Sequence, residues 1–222
     1  MGKASKNIIR IVAVALLCIF TFGLTGCTKK LSRDEATAKV SELVEASYEI
    51  NEIVFGKGLE YIETEESKNT RYALVKENDK YNCINDIRNA INNVFSEEYG
   101  ATLKTTAFVG QSGVVDGTKV PERYIENEQG FLVLKNDIVL DGSVSVDGEK
   151  QEISYFGFKV NKYDTETIEI KKISRRFIEA YITSENGEET ILVTLILEEN
   201  GWRIATPTYT TYNLDYYDQL EK

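Results

Sequence analysis

Hydrophobic and polar positions follow three different patterns along this chain, and each predicts a different structure. Lys3, Lys6 and Arg10 precede an apolar run from Ile11 to Phe20, which gives way to small residues before Cys27. From Ala36 the pattern is helical: Ala36, Val40, Leu43, Ile50 and Val54 fall on one face, with Ser47 as the interruption. Ser32 followed by Glu35 is a capping-box pair, and Gly56 and Gly58 supply a stop. A helix over about 33–55 with a core-facing stripe is expected.

The stretch Glu60 to Glu66 is acidic and polar, a loop or a loose helical turn, and Tyr72 to Val75 is a strand candidate. Ile84, Ile87, Ile91, Val94 and Phe95 mark a second amphipathic helix, with Asn82 as its expected cap. Ser96, Glu97, Glu98 and Tyr99 open a further short helix that Gly100 is expected to end. Gly110, Gly113 and Gly117 break any pattern over 101–120, which reads as the joint between two lobes.

Beyond the joint the period becomes that of strands. Arg123 to Glu126 and Gly130 to Leu134 flank the turn-like Asn127 to Gly130, a hairpin signature. From Ile153 onward the chain reads as antiparallel sheet, with strands at Thr167 to Ile173, Arg176 to Thr183, Glu189 to Leu197 and Trp202 to Ala205. Asn186-Gly187 and Asn200-Gly201 join the last three, and Asn-Gly is the strongest short hairpin signal. Ile191, Val193, Leu195 and Leu197 alternate with Thr190, Leu192, Thr194 and Ile196, so both faces are largely apolar or neutral. Such a strand lies in a sheet covered on both sides, or lines a cavity. The fold class expected is α+β, N-terminal amphipathic helices followed by a C-terminal antiparallel meander sheet. The expected division is a leader (1–26), a short tether (27–32), a helical lobe (33–110) and a sheet lobe (111–222).

The leader has the three-part layout of an export signal, and Leu24-Thr25-Gly26-Cys27 reads as the box of a bacterial lipoprotein. Cleavage falls between Gly26 and Cys27, and the Cys27 thiol takes a diacylglycerol, with two acyl chains giving stable anchoring. The protein is thus placed at the extracytoplasmic face of the cell membrane. Thr28, Lys29, Lys30, Leu31 and Ser32 are all that separate lipid from helix, a reach of ~17 Å when extended. Lys29 and Lys30 would sit beside anionic headgroups, each contributing ~1 kcal/mol of attraction.

Composition narrows the functions. Loss of Lys3, Lys6 and Arg10 with the leader takes the 26 basic residues to 23 against 36 acidic ones, a net charge of −13. This argues against nucleic-acid binding, which needs a basic footprint, and against spreading on anionic membranes apart from the Lys29 and Lys30 collar. It favours association with a basic partner, or serves only as a solubilising surface. Cys18 leaves with the leader and Cys27 carries lipid, so Cys83, read as a buried inert thiol, cannot form an intramolecular disulfide. The chain has no histidine, which removes Ser-His-Asp and Cys-His catalysis and imidazole-based zinc sites. No phosphate loop, dinucleotide fingerprint or Cys-x-x-Cys occurs, so no cofactor is implied.

Asp141, Ser143, Ser145, Asp147, Glu149 and Glu152 have the spacing of a calcium loop, but Val146 stands where the sharp turn needs Gly. A surface hairpin with Asp-Gly turns is the plainer reading. Tyr209, Tyr212, Tyr216 and Tyr217 crowd the C-terminus and are candidate recognition residues, with packing at a sheet edge as the alternative.

Tyr81 with IRNAINNVFSEEY (87–99), RYIENEQGFLVL (123–134) and ENGWRIATPTY (199–209), in that order, resembles the cell-wall DL-endopeptidase inhibitor family of Gram-positive bacteria. The resemblance covers about 40–212. It implies a proteinaceous inhibitor that plugs the cleft of cysteine-type wall hydrolases and restrains peptidoglycan cleavage, with no enzymatic activity of its own. The lipid anchor and short tether depart from that family and favour a membrane-proximal target. A Gly-Trp-Arg-Ile final strand, here Gly201 to Ile204, also occurs in cystatin-like and nuclear-transport-factor-2-like domains, and ligand or peptide binding in the cell envelope is the alternative function.

Overall fold

The computed structural model describes residues 30–65, 67–112, 119–135, 145–146, 149–150, 158–159 and 162–211. Its first element is α1, Arg33–Val54, capped as its sequence requires: the Glu35 amide donates to Ser32 Oγ and the Ser32 amide to the Glu35 carboxylate. The helix buries Ala36, Val40, Leu43, Val44, Ile50, Ile53 and Val54 along one side. Two shorter helices follow, α2 (Ile84–Val94) and α3 (Glu97–Phe108).

Four strands make the first sheet: β1 (Tyr61–Ile62), β2 (Tyr72–Val75), β3 (Tyr124–Asn127) and β4 (Gly130–Leu134). Their order is β1-β2-β4-β3, all neighbours antiparallel, and β3-β4 is the expected hairpin, with Asn127 opposite Gly130. The second sheet is the C-terminal meander, β5 (Tyr163–Ile173), β6 (Phe177–Ser184), β7 (Thr190–Glu198) and β8 (Gly201–Ile204), each strand pairing with the next. Gly187 and Gly201 carry positive φ in the two Asn-Gly turns, a conformation most side chains resist. The chain is α+β with this meander at its C-terminal end.

Several expectations are corrected. The α3 helix does not end at Gly100 but runs to Phe108. A Cβ at Gly100 would stand 3.2 Å from Ile91 Cγ2, so the glycine lets α3 approach α2 closely. The residue capping α2 is Cys83, not Asn82, because the Asp86 carboxylate reaches back to accept both the Asn82 and the Cys83 amides. Cys83 is half-buried, not buried.

Among the described residues, side chains from 33–110 and from 111–222 share one buried cluster. Val40, Ile91 and Leu103 belong to the same buried cluster as Tyr124, Ile178, Val193 and Ile204. Phe95, between α2 and α3, forms a parallel bridge with Ile204, and the Ser96 amide donates to the Ile204 carbonyl at 2.8 Å. The helices thus close over the inner face of the meander. Hydrophobic burial is shared across elements distant in sequence.

Candidate functional site

The residues singled out from sequence fall in different places. Gly26, Cys27, Tyr212, Tyr216 and Tyr217 lie outside the described residues. Tyr209 is half-buried, its ring centroid 4.0 Å from that of Phe55 and tilted by 38°. Burial raises the pKa of its hydroxyl, with the neighbouring Tyr99 pulling the other way. This tyrosine packs against the core where α1 ends. Of the calcium-spaced segment, Asp141, Ser143, Asp147 and Glu152 lie outside the described residues, while Ser145 pairs with Lys150 and Val146 with Glu149 in an antiparallel ladder. Among the described residues no group of three or more His, Cys, Asp or Glu side chains could hold a metal ion.

What the tertiary structure does assemble is an acidic cleft of about 440 Å3, lined by Glu45, Tyr48, Lys162, Tyr163, Asp164 and Glu185. Its walls come from α1, the start of β5 and the turn after β6. Glu45 and Tyr48 stand one helical turn apart on α1, a spacing that sets both on one face. The Tyr48 hydroxyl is locked in place: it accepts the Tyr163 amide at 2.9 Å and donates to the Tyr163 carbonyl at 3.3 Å. Burial raises the Tyr48 pKa, and the negative fields of Glu185 and Glu45 push the same way. Glu45, Asp164 and Glu185 against Lys162 leave the cleft suited to a cationic side chain. The sequence held no signal for this site, because its three carboxylates lie far apart along an acidic chain.

A second surface is the outer face of the meander. Ile178, Ala180 and Ile182 of β6 and Val193 and Leu195 of β7 point into the core, which turns the alternate residues outward. Tyr181 stands opposite Leu192, and the two are 40% and 43% exposed. Phe177 stands opposite Ile196 beside them. The expectation that β7 is covered on both faces, or lines a cavity, is therefore corrected: the helices cover one face only, and the apolar outer residues form an open surface. Lys171 Nζ lies 4.8 Å from the Tyr181 ring centroid and Lys172 Nζ 4.6 Å from that of Phe177. A bulge between Ile170 and Lys172 makes this possible, since the extra residue puts two consecutive lysines on one face.

A smaller cleft of about 180 Å3, lined by Leu74, Lys76, Tyr81, Asn82 and Phe131 among others, opens beside β2. No helix among the described residues is long and apolar enough to cross a membrane. No protein-family model, curated protein or solved structure matches the chain.

Proposed function

We propose that this chain is a membrane-anchored lipoprotein of the extracytoplasmic face, a non-enzymatic binding protein that inhibits peptidoglycan DL-endopeptidases. The anchor rests on Leu24-Thr25-Gly26-Cys27 behind a basic and apolar leader. The absence of any histidine supports binding over nucleophilic catalysis. The observation that carries the binding half is the acidic cleft, where Glu45, Asp164 and Glu185 converge from three separate elements on a space open to a basic partner. Inhibition of a wall hydrolase, as the partner's fate, rests on the resemblance of the segments 87–99, 123–134 and 199–209.

The competing ligand-pocket reading asks for a cavity lined by Val193, Leu195 and Trp202. Val193 and Leu195 are instead fully buried in the packed core. That leaves the open surfaces as the better candidates for recognition.

The test is peptidoglycan hydrolysis by the host's cysteine endopeptidases, with the lipid-free domain, residues 28–222, in micromolar excess. Hydrolysis is expected to slow, and the double variant Glu45→Lys/Glu185→Lys to inhibit less. Unchanged hydrolysis with the unaltered domain would end the inhibitor reading.

A further inference from the structure

The acidic balance of the folded domain reverses locally at the turn between β5 and β6. Lys171, Lys172, Arg175 and Arg176 supply four cations within six residues, and all four are exposed. Lys171 is paired with Glu169 at 2.8 Å, and Glu179 stands opposite Lys172 in the ladder. Arg175 and Arg176 occupy the tip, where the Ser174 hydroxyl accepts the Arg176 and Phe177 amides and holds the turn in shape.

The position of this turn follows from how α1 lies on β5. Arg33, at the start of α1, donates from Nη2 to the Ile170 carbonyl at 3.1 Å, while Tyr48, near its other end, bonds Tyr163. Helix and strand therefore run in opposite directions. Continuing along β5 past Ile170 leads beyond the N-terminus of α1, the end at which the chain from Cys27 arrives. Counted along β6 from Ala180, the partner of Ile170, the tip at Arg176 lies ~13 Å further on. The five-residue tether after Cys27 spans at most ~17 Å, so membrane and turn are within each other's reach. At the same end stand Glu198 and Glu199 across the sheet and Asp34 and Glu35 in the first turn of α1, which confines the attractive charge to the β5-β6 turn itself.

We propose that the β5-β6 turn rests on anionic phospholipid headgroups of the membrane that holds Cys27, through Lys171, Lys172, Arg175 and Arg176. This rests on the lipid-anchor reading above and extends it from attachment to orientation. The two chains of the diacylglycerol suffice for attachment, so a basic patch beside them acts on orientation, each cation contributing attraction to anionic headgroups. Phe177 and Tyr181, with lysine ammonium groups over their rings, suit the boundary between headgroups and water. With the turn against the lipid, the cleft of Glu45, Asp164 and Glu185 faces away from the membrane, ~26 Å along β6 from Arg176 to Ser184. The domain would thus present its acidic cleft to the wall side.

The mature protein, purified with its anchor and placed in vesicles, tests this. In a Cys83→Ser background, probes are attached at Glu179→Cys, between Phe177 and Tyr181, and at Glu188→Cys, in the turn at the other end of β6, and their quenching by nitroxide-labelled headgroups is measured. Quenching is expected at 179 and not at 188 in phosphatidylglycerol-rich vesicles, and at neither in phosphatidylcholine alone. Arg175→Glu/Arg176→Glu is expected to abolish the difference. For the lipid-free domain at low ionic strength, the same double reversal should lower partitioning to phosphatidylglycerol by about 25-fold or more, at about five-fold per cation. Equal quenching at both positions, or partitioning indifferent to the reversal, overturns the proposal. So does binding to a soluble anionic wall polymer without binding to vesicles. The mass of the mature N-terminus reports separately on the anchor: absence of diacylglycerol from Cys27 would sink the anchor reading, while the partitioning experiment judges the turn by itself.

Discussion

Thr208 donates its hydroxyl proton to Ser47 Oγ at 2.7 Å, joining the C-terminal segment to the middle of α1, and both side chains are fully buried. The bond is one link of a relay. Asn51 Nδ2 donates to Thr208 Oγ1 at 2.9 Å, and Ser47 Oγ donates in turn to the Val44 carbonyl at 2.7 Å. Ser47, which interrupts the apolar stripe in the sequence, is the acceptor that allows Thr208 to be buried. Ser47→Ala leaves that hydroxyl without its partner and is expected to cost about 1–3 kcal/mol in urea unfolding. Thr208→Val added to Ser47→Ala should cost less than it does alone, because the two groups satisfy each other. Strict additivity would show that the relay is not a unit.

Arg123 clasps the C-terminus of α1 from the first residue before β3. Its side chain is fully buried, Nη2 donates to the Gly56 carbonyl at 2.6 Å, and the neighbouring Tyr124 hydroxyl donates to the Ile53 carbonyl at 2.9 Å. A cation is favoured at a helix C-terminus, where unsatisfied carbonyls gather. Arg123→Met is expected to destabilise the domain by about 1.5–3 kcal/mol, measured by chemical unfolding. Gly58→Ala should act at the same contact, since Gly58 has φ +76 and a Cβ there would stand 2.5 Å from Arg123 Nη2. A thermal midpoint unchanged in Gly58→Ala would contradict this packing.

Tyrosine ionisation should set the alkaline limit of the fold. Burial first, then the negative field of Glu122, pushes the Tyr72 hydroxyl up to about 12, and burial followed by Glu49 does the same for Tyr81. Tyr99, Tyr124 and Tyr163 are raised as well, each chiefly by burial. Between the ordinary tyrosine value of 10.0 and about 12, the folded chain keeps protons that the unfolded chain has lost. Stability is therefore fully present below 10 and falls as pH rises through the folded values. At the acid end Asp86 acts with the opposite sense. Its pKa is lowered, first by the Asn82 amide and then by Cys83, so its contribution fades as pH falls through the folded value. Spectroscopic titration of tyrosinate checks the first statement: buried tyrosines should ionise together with unfolding, and independent ionisation in the folded state would refute it.

Cys27→Ala should prevent acylation, since the thiol is the only group at that position able to take the diacylglycerol. Labelled palmitate is expected in the wild-type protein and not in the variant. Incorporation into both would place the lipid elsewhere.

Patterning alone determined a good part of this protein. Period and capping residues located α1 and its Ser32-Glu35 box, and Asn-Gly turns located the meander, because these are short-range effects between residues within a few positions of each other. Local signals failed where the deciding neighbour was distant. Gly100 looks like a helix stop until Ile91 is placed against it, and β7 looks covered on both faces until the helices are seen to cover one. Tyr209 reads as one of a crowd of C-terminal tyrosines, and only the fold sets its ring beside that of Phe55. Charge divides the same way: the acidic composition and the cations of 171–176 are legible in the chain, but packing α1 antiparallel to β5 decided that Glu45, Asp164 and Glu185 gather at Tyr163. Sequence specifies the elements through contacts it can reach locally; only the tertiary fold, by bringing residues over a hundred positions apart into contact, decided which side chains share a surface.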